Sequence, residues 1–202
     1  MKRNKFLVSV VSLALCGAMV LSGCSSKKSD SKKGGKNNAK VEEDSKGNVD
    51  MFEALEKFSP DMQYDDVEKM IGFAGTCTHP KEDGKFSHES YEWKLTSDTS
   101  VQATFYIDEE GKFVSSSMTA DFYSKLIRDD DVDFSDLDKF EKKAKSDEGI
   151  TYEECCKIFG AEGVLKEVSD TSKKYEWAAE DGGWMDVTFN SKGIASFYNG
   201  MT

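Results

Sequence analysis

The chain has 202 residues, with 27 Lys or Arg against 38 Asp or Glu and a formal net charge of −11. The charge is unevenly divided: residues 1–49 are basic, whereas from Asp50 onward 17 basic residues face 34 acidic ones. A segment that acidic repels a phosphate backbone and a bare anionic bilayer, which excludes a nucleic-acid partner.

The first elements are not part of a fold. Met1 to Lys5 carries three positive charges, Phe6 to Val20 is almost wholly apolar, and the block closes on Leu21-Ser22-Gly23-Cys24. A basic start, a short apolar run and small residues before a cleavage point describe a secretory signal, and the run is shorter than the ~20 residues of a spanning helix. Small residues followed directly by Cys24 resemble the lipobox of bacterial lipoproteins. That resemblance implies cleavage before Cys24, diacylation of its sulfur and anchoring on the extracytoplasmic face of the cell membrane. Residues 24–49 hold seven Lys against four acidic residues and almost nothing apolar. They read as a flexible tether that an anionic membrane surface attracts.

From Asp50 the pattern becomes that of a folded domain. Met51, Leu55 and Phe58 recur at helical spacing. Ser59-Pro60 is expected to close that helix and open the next, whose stripe of Val67, Met70 and Ile71 stops at Gly72. The period then changes from 3.6 to 2. Tyr91, Trp93 and Leu95 alternate with polar residues, as do Val101, Ala103 and Phe105, which predicts half-buried antiparallel strands turned at 109–112. After an acidic stretch the same order returns. Phe134, Leu137 and Phe140 begin a helix, Thr151 and Glu154 form a capping box, and a second helix ends at Gly160. Tyr175 and Trp177, then Met185, Val187 and Phe189, alternate as strands around a turn at 181–183.

The two series align. "YDDVEKMIG" (64–72) matches "YEECCKIFG" (152–160) at an offset of 88, "YEW" at 91–93 matches 175–177 at 84, and "VQATF" (101–105) matches "MDVTF" (185–189), also at 84. Ordered matches of this kind indicate a duplicated unit of roughly 80 residues. The expected organisation is a signal peptide over 1–23, a tether over 24–49, a first repeat over 50–119, an acidic linker over 120–133 and a second repeat over 134–202. The recurring Tyr and Trp are expected to be core plugs under the helices, one strand in from the edge of each unit.

Two helices ending in Gly, then Y-x-W, then an alternating strand ending in Thr-Phe, then a Gly turn, resemble the β-lactamase inhibitory protein family and a related set of small bacterial lipoproteins. The resemblance covers residues 50–199. It implies an α+β fold of two tandem helix–helix–antiparallel-sheet repeats with a concave sheet face that binds another protein. That family plugs an enzyme active site with an Asp on a first-unit hairpin, and the matching residue here is Asp98, followed by Thr99 and Ser100 where the family has aromatics. The family also places a disulfide across each sheet. Cys77 is near one such position, but Tyr91 occupies the expected partner's place. Tyr106 and Trp184 have the opposite strand parity to Phe105 and Phe189 and are expected on the binding face.

Other sites are weaker readings. Cys77, His79 and His88 match no zinc spacing and lack a fourth ligand. "RDDDVDFSDLD" (128–138) lacks the mid-loop Gly and the terminal Glu of a calcium loop, and reads as a linker whose carboxylates favour the start of the next helix. Cys155 and Cys156 read as small apolar residues. No nucleophile–base–orienter set is visible, so neither catalysis nor a cofactor is expected. The expected function is a lipid-anchored, non-catalytic module for an extracytoplasmic or envelope protein, with scaffolding of envelope components as the alternative. Cys24→Ala should release the protein from the membrane fraction and accumulate unprocessed precursor on immunoblots. A mature-sized, membrane-bound Cys24→Ala product would refute lipidation.

Overall fold

A computed structural model of the chain describes residues 47–81, 87–122 and 126–201, all within one compact unit. The signal segment, Cys24 and the tether as far as residue 46 lie outside the described residues. The described residues form a mixed helix and strand fold with four helices and a nine-stranded, essentially antiparallel open sheet. In chain order these are α1 (Met51–Lys57), α2 (Tyr64–Ile71), β1 (Thr76–His79), β2 (Ser87–Lys94), β3 (Thr99–Ile107), β4 (Phe113–Phe122), β5 (Arg128–Asp129), α3 (Leu137–Ala144), α4 (Tyr152–Phe159), β6 (Val164–Val168), β7 (Ser172–Ala179), β8 (Trp184–Asn190) and β9 (Ala195–Met201). The spatial strand order is β1-β2-β3-β4-β6-β7-β8-β9, and the two-residue β5 runs parallel to the end of β7.

Local chemistry sets most helix ends. Asp50 caps α1 by accepting from the Glu53 N–H at 2.8 Å. Thr151 and Glu154 exchange the two bonds of a capping box at the start of α4. Gly72 and Gly160 end α2 and α4 at φ of +97° and +84°, where a side chain would be strained. Two expectations are corrected. Ser59-Pro60 does not open α2, because the Ser59 hydroxyl turns to Asp61 and β4 captures the following backbone. The Ser116 N–H donates to the Pro60 carbonyl at 2.8 Å, and the Ser116 hydroxyl donates to that of Met62, also at 2.8 Å. The helix starts instead after Gln63, whose N–H donates to the Asp66 carboxylate. Phe134 likewise precedes α3, in a turn held by Asp133, and packs edge-on to Phe159 from there.

In each half the core lies between the helices and the Trp-bearing side of the strands, and in the second half the cluster around Trp93 also covers the opposite side of β7, where Ala178 is buried. Trp93 is fully buried, and its indole N–H donates to the Phe73 carbonyl at 2.9 Å. Its ring centroid is 5.8 Å from that of Tyr64, which in turn is 4.4 Å from Tyr91. In the second half Trp177 donates to the Ala161 carbonyl at 2.9 Å, with Tyr152 at 5.8 Å and Tyr175 4.4 Å from Tyr152. The turns agree as well. Asp108 accepts from the N–H groups of Glu110 and Lys112, and Asn190 from those of Lys192 and Ile194. The fall in offset from 88 to 84 falls in a hairpin loop: seven residues separate β1 from β2 where three separate β6 from β7.

β4 and β6 join the two halves through the pairs Met118–Val168 and Thr119–Glu167. Within each unit the aromatic pair lies one strand in from the first strand, as expected, β2 beside β1 and β7 beside β6. β2 is next to the edge strand β1, but β7 is an interior strand because β6 is already paired to β4. Two apolar clusters result. The larger, around Trp93, also takes in Val168 and Ala178 from the second half, and the smaller surrounds Trp177, Phe140 and Phe159.

Each indole lies against a bare backbone. A Cβ on Gly75 would stand 2.6 Å from the Trp93 ring, and one on Gly163 would stand 2.6 Å from Trp177. Trp93→Ala and Trp177→Ala should each destabilise by about 3–5 kcal/mol in urea unfolding. Gly75→Ala and Gly163→Ala should also destabilise. Unchanged midpoints in all four variants would show that neither indole anchors the fold.

Candidate functional site

Residues paired directly across antiparallel strands project to the same side. The side opposite Trp93 on β1–β4 therefore carries Thr78, Ser90, Glu92, Ser100, Gln102, Thr104 and Tyr106. These form a hydrogen-bonded polar ladder. Ser90 and Thr104 hydroxyls are 2.9 Å apart, Ser100 donates to Glu92 at 3.1 Å, and Gln102 donates to the Thr78 hydroxyl at 3.1 Å. Gln102 and His88 are exposed, and Tyr106 is 43% exposed beside His88, with ring centroids 6.1 Å apart. His88 is stacked on His79 at 4.5 Å. The result is a face whose polar side chains are mutually fixed and whose aromatic residues cluster near one end of β3.

The expected site residues are not brought together. Asp98 is exposed in the turn between β2 and β3, where its N–H donates to the Thr96 hydroxyl at 3.1 Å. Tyr106 is eight residues further along β3, about 26 Å away at ~3.3 Å per residue. Thr99 and Ser100, which follow Asp98, are buried. Trp184 begins β8, paired with Ala178 and Met201, and its side chain is half-buried against the core cluster around Trp93. Its strand parity is as expected, but other side chains cover that face of the second half.

Cys77, Cys155 and Cys156 are free thiols. Cys77 is exposed directly across from Tyr91, so the position where the resembled family places a disulfide partner holds a ring in contact with Tyr64 and Trp93. Burial pushes the Cys155 thiol up to about 12, so it is a neutral core group rather than a nucleophile. Cys77 pairs on the Tyr91 face and His79 with Ser90 on the other, which separates the sulfur from the stacked imidazoles. The carboxylates of Asp129, Asp130 and Asp131 approach within 4.8 Å of one another. Asp129 and Asp133 also accept backbone N–H groups two residues on, which is ordinary turn chemistry.

One charged cluster has no counterpart in the sequence reading. Glu176, the middle residue of the second "YEW", is fully buried, whereas its equivalent Glu92 is half-exposed. Lys166 contacts the Glu176 carboxylate, lies 3.7 Å from that of Asp186 and is 5.5 Å from the Phe122 ring centroid. One ammonium thus serves two carboxylates, and Glu176 Oε1 and Asp186 Oδ1 have no hydrogen-bond partner. Burial alone would lower the Lys166 pKa, but Glu176 and Asp186 outweigh it and raise it. Burial pushes the Asp186 carboxyl above its usual range. By strand parity Glu176 and Asp186 lie on the side opposite Trp177 and Met185, where charge is ordinary, so no local sequence signal marks the cluster; a β-bulge between Leu165 and Glu167 adds Lys166 to it.

Comparison with protein-family models, with curated proteins and with solved structures returned no match.

Because the Asp186 pKa is raised on folding, its contribution is fully present below the unfolded carboxyl range and is lost as pH rises through the folded value. Asp186→Asn should therefore flatten the fall in stability that sets in as pH rises above the ordinary carboxylate range in urea titrations. Lys166→Met should cost about 3–5 kcal/mol, since it leaves the buried Glu176 carboxylate, and the half-buried Asp186 beside it, without a cation. A Lys166→Met variant as stable as wild type would mean that solvent, not Lys166, balances the carboxylates.

Proposed function

We propose that the chain is a lipid-anchored, extracytoplasmic, non-catalytic protein-binding module. In this reading Cys24 carries the anchor, residues 24–49 hold the domain off the bilayer, and two tandem helix–helix–sheet units of the β-lactamase inhibitory protein type form one concave sheet face. The recurring contacts around Trp93 and Trp177 support the tandem unit. The β4–β6 pairing joins the two units into one sheet, whose open polar face is that of the first unit.

The observation that carries the binding reading is the polar ladder opposite Trp93. A face that donates no large side chains to the core still has its hydroxyls, amide and carboxylate fixed against one another, with Tyr106 exposed beside it. Fixed polar groups reduce the ordering entropy lost on association, and an exposed Tyr is a frequent anchor. Asp98, at the other end of β3 and without neighbouring aromatics, contributes less. Trp184 supports the face from within because it rests on the first core.

Immobilised mature protein should capture one stoichiometric partner from a membrane extract of its own source. Tyr106→Ala and Gln102→Ala should weaken capture by about tenfold or more, equivalent to at least about 1.4 kcal/mol, at unchanged melting temperature. Asp98→Ala should have a smaller effect. Capture indifferent to Tyr106, Gln102 and Asp98 alike would reject this face as the binding surface.

A further inference from the structure

The two edges of the sheet are built differently. β1 has four residues, carries His79 and is followed by Pro80 and Lys81, features that discourage pairing with another chain. β9 has seven residues and no such guard. No residue from Gly193 to Met201 is charged, in a chain of which 32% is charged. Its first residues are covered, since Ile194 bridges Thr151 and the Ala195 N–H donates to the Ile150 carbonyl. The remainder of the strand forms one margin of the sheet. Phe197 is 62% exposed and Met201 is 65% exposed, and both project to the Trp184 side because they pair with Thr188 and Trp184 on β8.

We propose that β9 is a homodimer edge: two copies of the chain pair their β9 strands antiparallel about a two-fold axis at Asn199, extending one sheet into the other. The two-fold requires that a residue oppose itself, because neighbouring residues of a strand point to opposite sides. With Asn199 on the axis, each Phe197 faces the other copy's Met201, so the two most exposed large apolar side chains among the described residues cover each other. Tyr198 then faces Gly200 of the other copy, where no side chain competes for the space. An axis at residue 198 sets Phe197 opposite Asn199 and Met201 opposite Ala195, whose backbone Ile150 already occupies, and an axis at 200 sets Met201 opposite Asn199 and leaves Phe197 outside the paired stretch. Charge selects the same contact. The acidic excess from Asp50 onward makes two copies repel, and this uncharged strand lets their backbones meet without opposing like charges. The contact is small against the ~20–30 residues a side of a standard interface, so the pair is weak and reversible.

The test uses the full-length chain purified in detergent with its natural cysteines retained. Asn199→Cys places two thiols across the axis, at the Cβ spacing of about 4.5–5.5 Å that a disulfide can close with little adjustment. Mild oxidation should yield a homodimer whose tryptic map contains two copies of the peptide beginning at Gly193, linked through position 199. Val114→Cys, at an exposed β4 position, should yield none. Adding Phe197→Lys to Asn199→Cys should cut the linked product about tenfold. Raising salt from roughly 0.05 to 0.5 M should increase it by screening the repulsion between copies. Linkage at 199 no greater than at 114, indifference to Phe197→Lys in a variant with wild-type circular dichroism, or a decrease with salt would each overturn the proposal.

Discussion

The indole of Trp93 fits beneath its helices because residue 75 has no side chain, and the same holds for Trp177 and Gly163. This close approach of ring to backbone orders much else. It brings the end of α2 near enough for the indole N–H to reach the Phe73 carbonyl, so a large apolar group is buried with its one donor satisfied. It leaves room for Tyr64 to lie over both Tyr91 and Trp93, with its hydroxyl accepting from the Gly75 N–H at 3.2 Å. A helix end, a loop glycine and two strand aromatics are thereby tied together in each half. Disturbing any one of them moves the rest.

The join between halves is governed differently. β4 and β6 share two register pairs, so little backbone pairing holds the first four strands to the last four. Side chains supply what the ladder lacks. Val168 and Ala178 belong to the cluster around Trp93, Trp184 packs on it, and β5 pairs with the end of β7 where β6 has already stopped. Lys166, Glu176 and Asp186 lie in the same region, with Phe122 of β4 beside the ammonium. Replacement of a polar position by a buried ionic one, Glu92 in the first half against Glu176 in the second, accompanies this change of surroundings.

Much of the fold was legible because its determinants are local. The stops at Gly72 and Gly160, the Thr151–Glu154 box and the alternation around Trp93 and Trp177 all follow from residues within a turn or a strand of one another. The misreadings share one cause. Ser59-Pro60 has the composition of a helix start, but Ser116, more than fifty residues away, takes the Pro60 and Met62 carbonyls and fixes that segment as a turn. Trp184 has the parity of an outward residue, and tertiary packing covers it. Neither effect leaves a trace in the neighbouring sequence. Of the candidate site, the parity of Tyr106 was legible and its exposure agrees, whereas its separation from Asp98 required the strand to be placed.

In the first half packing occupies one face of the strands and a polar ladder the other, and the two faces are constrained differently. On the Trp93 side each residue is constrained by volume, and exchange of a few atoms has a large energetic effect. On the other side Ser90, Gln102 and Thr104 are constrained by hydrogen bonding to one another and by solvent, which many polar sets could satisfy. Electrostatics narrows what can approach. With 34 acidic residues against 17 basic ones from Asp50 onward, the domain favours surfaces that are basic or uncharged. An uncharged β9 at the margin of such a domain is therefore not a neutral detail. It is the stretch of edge where a backbone can approach without opposing charge, whether or not the approaching chain carries charge of its own.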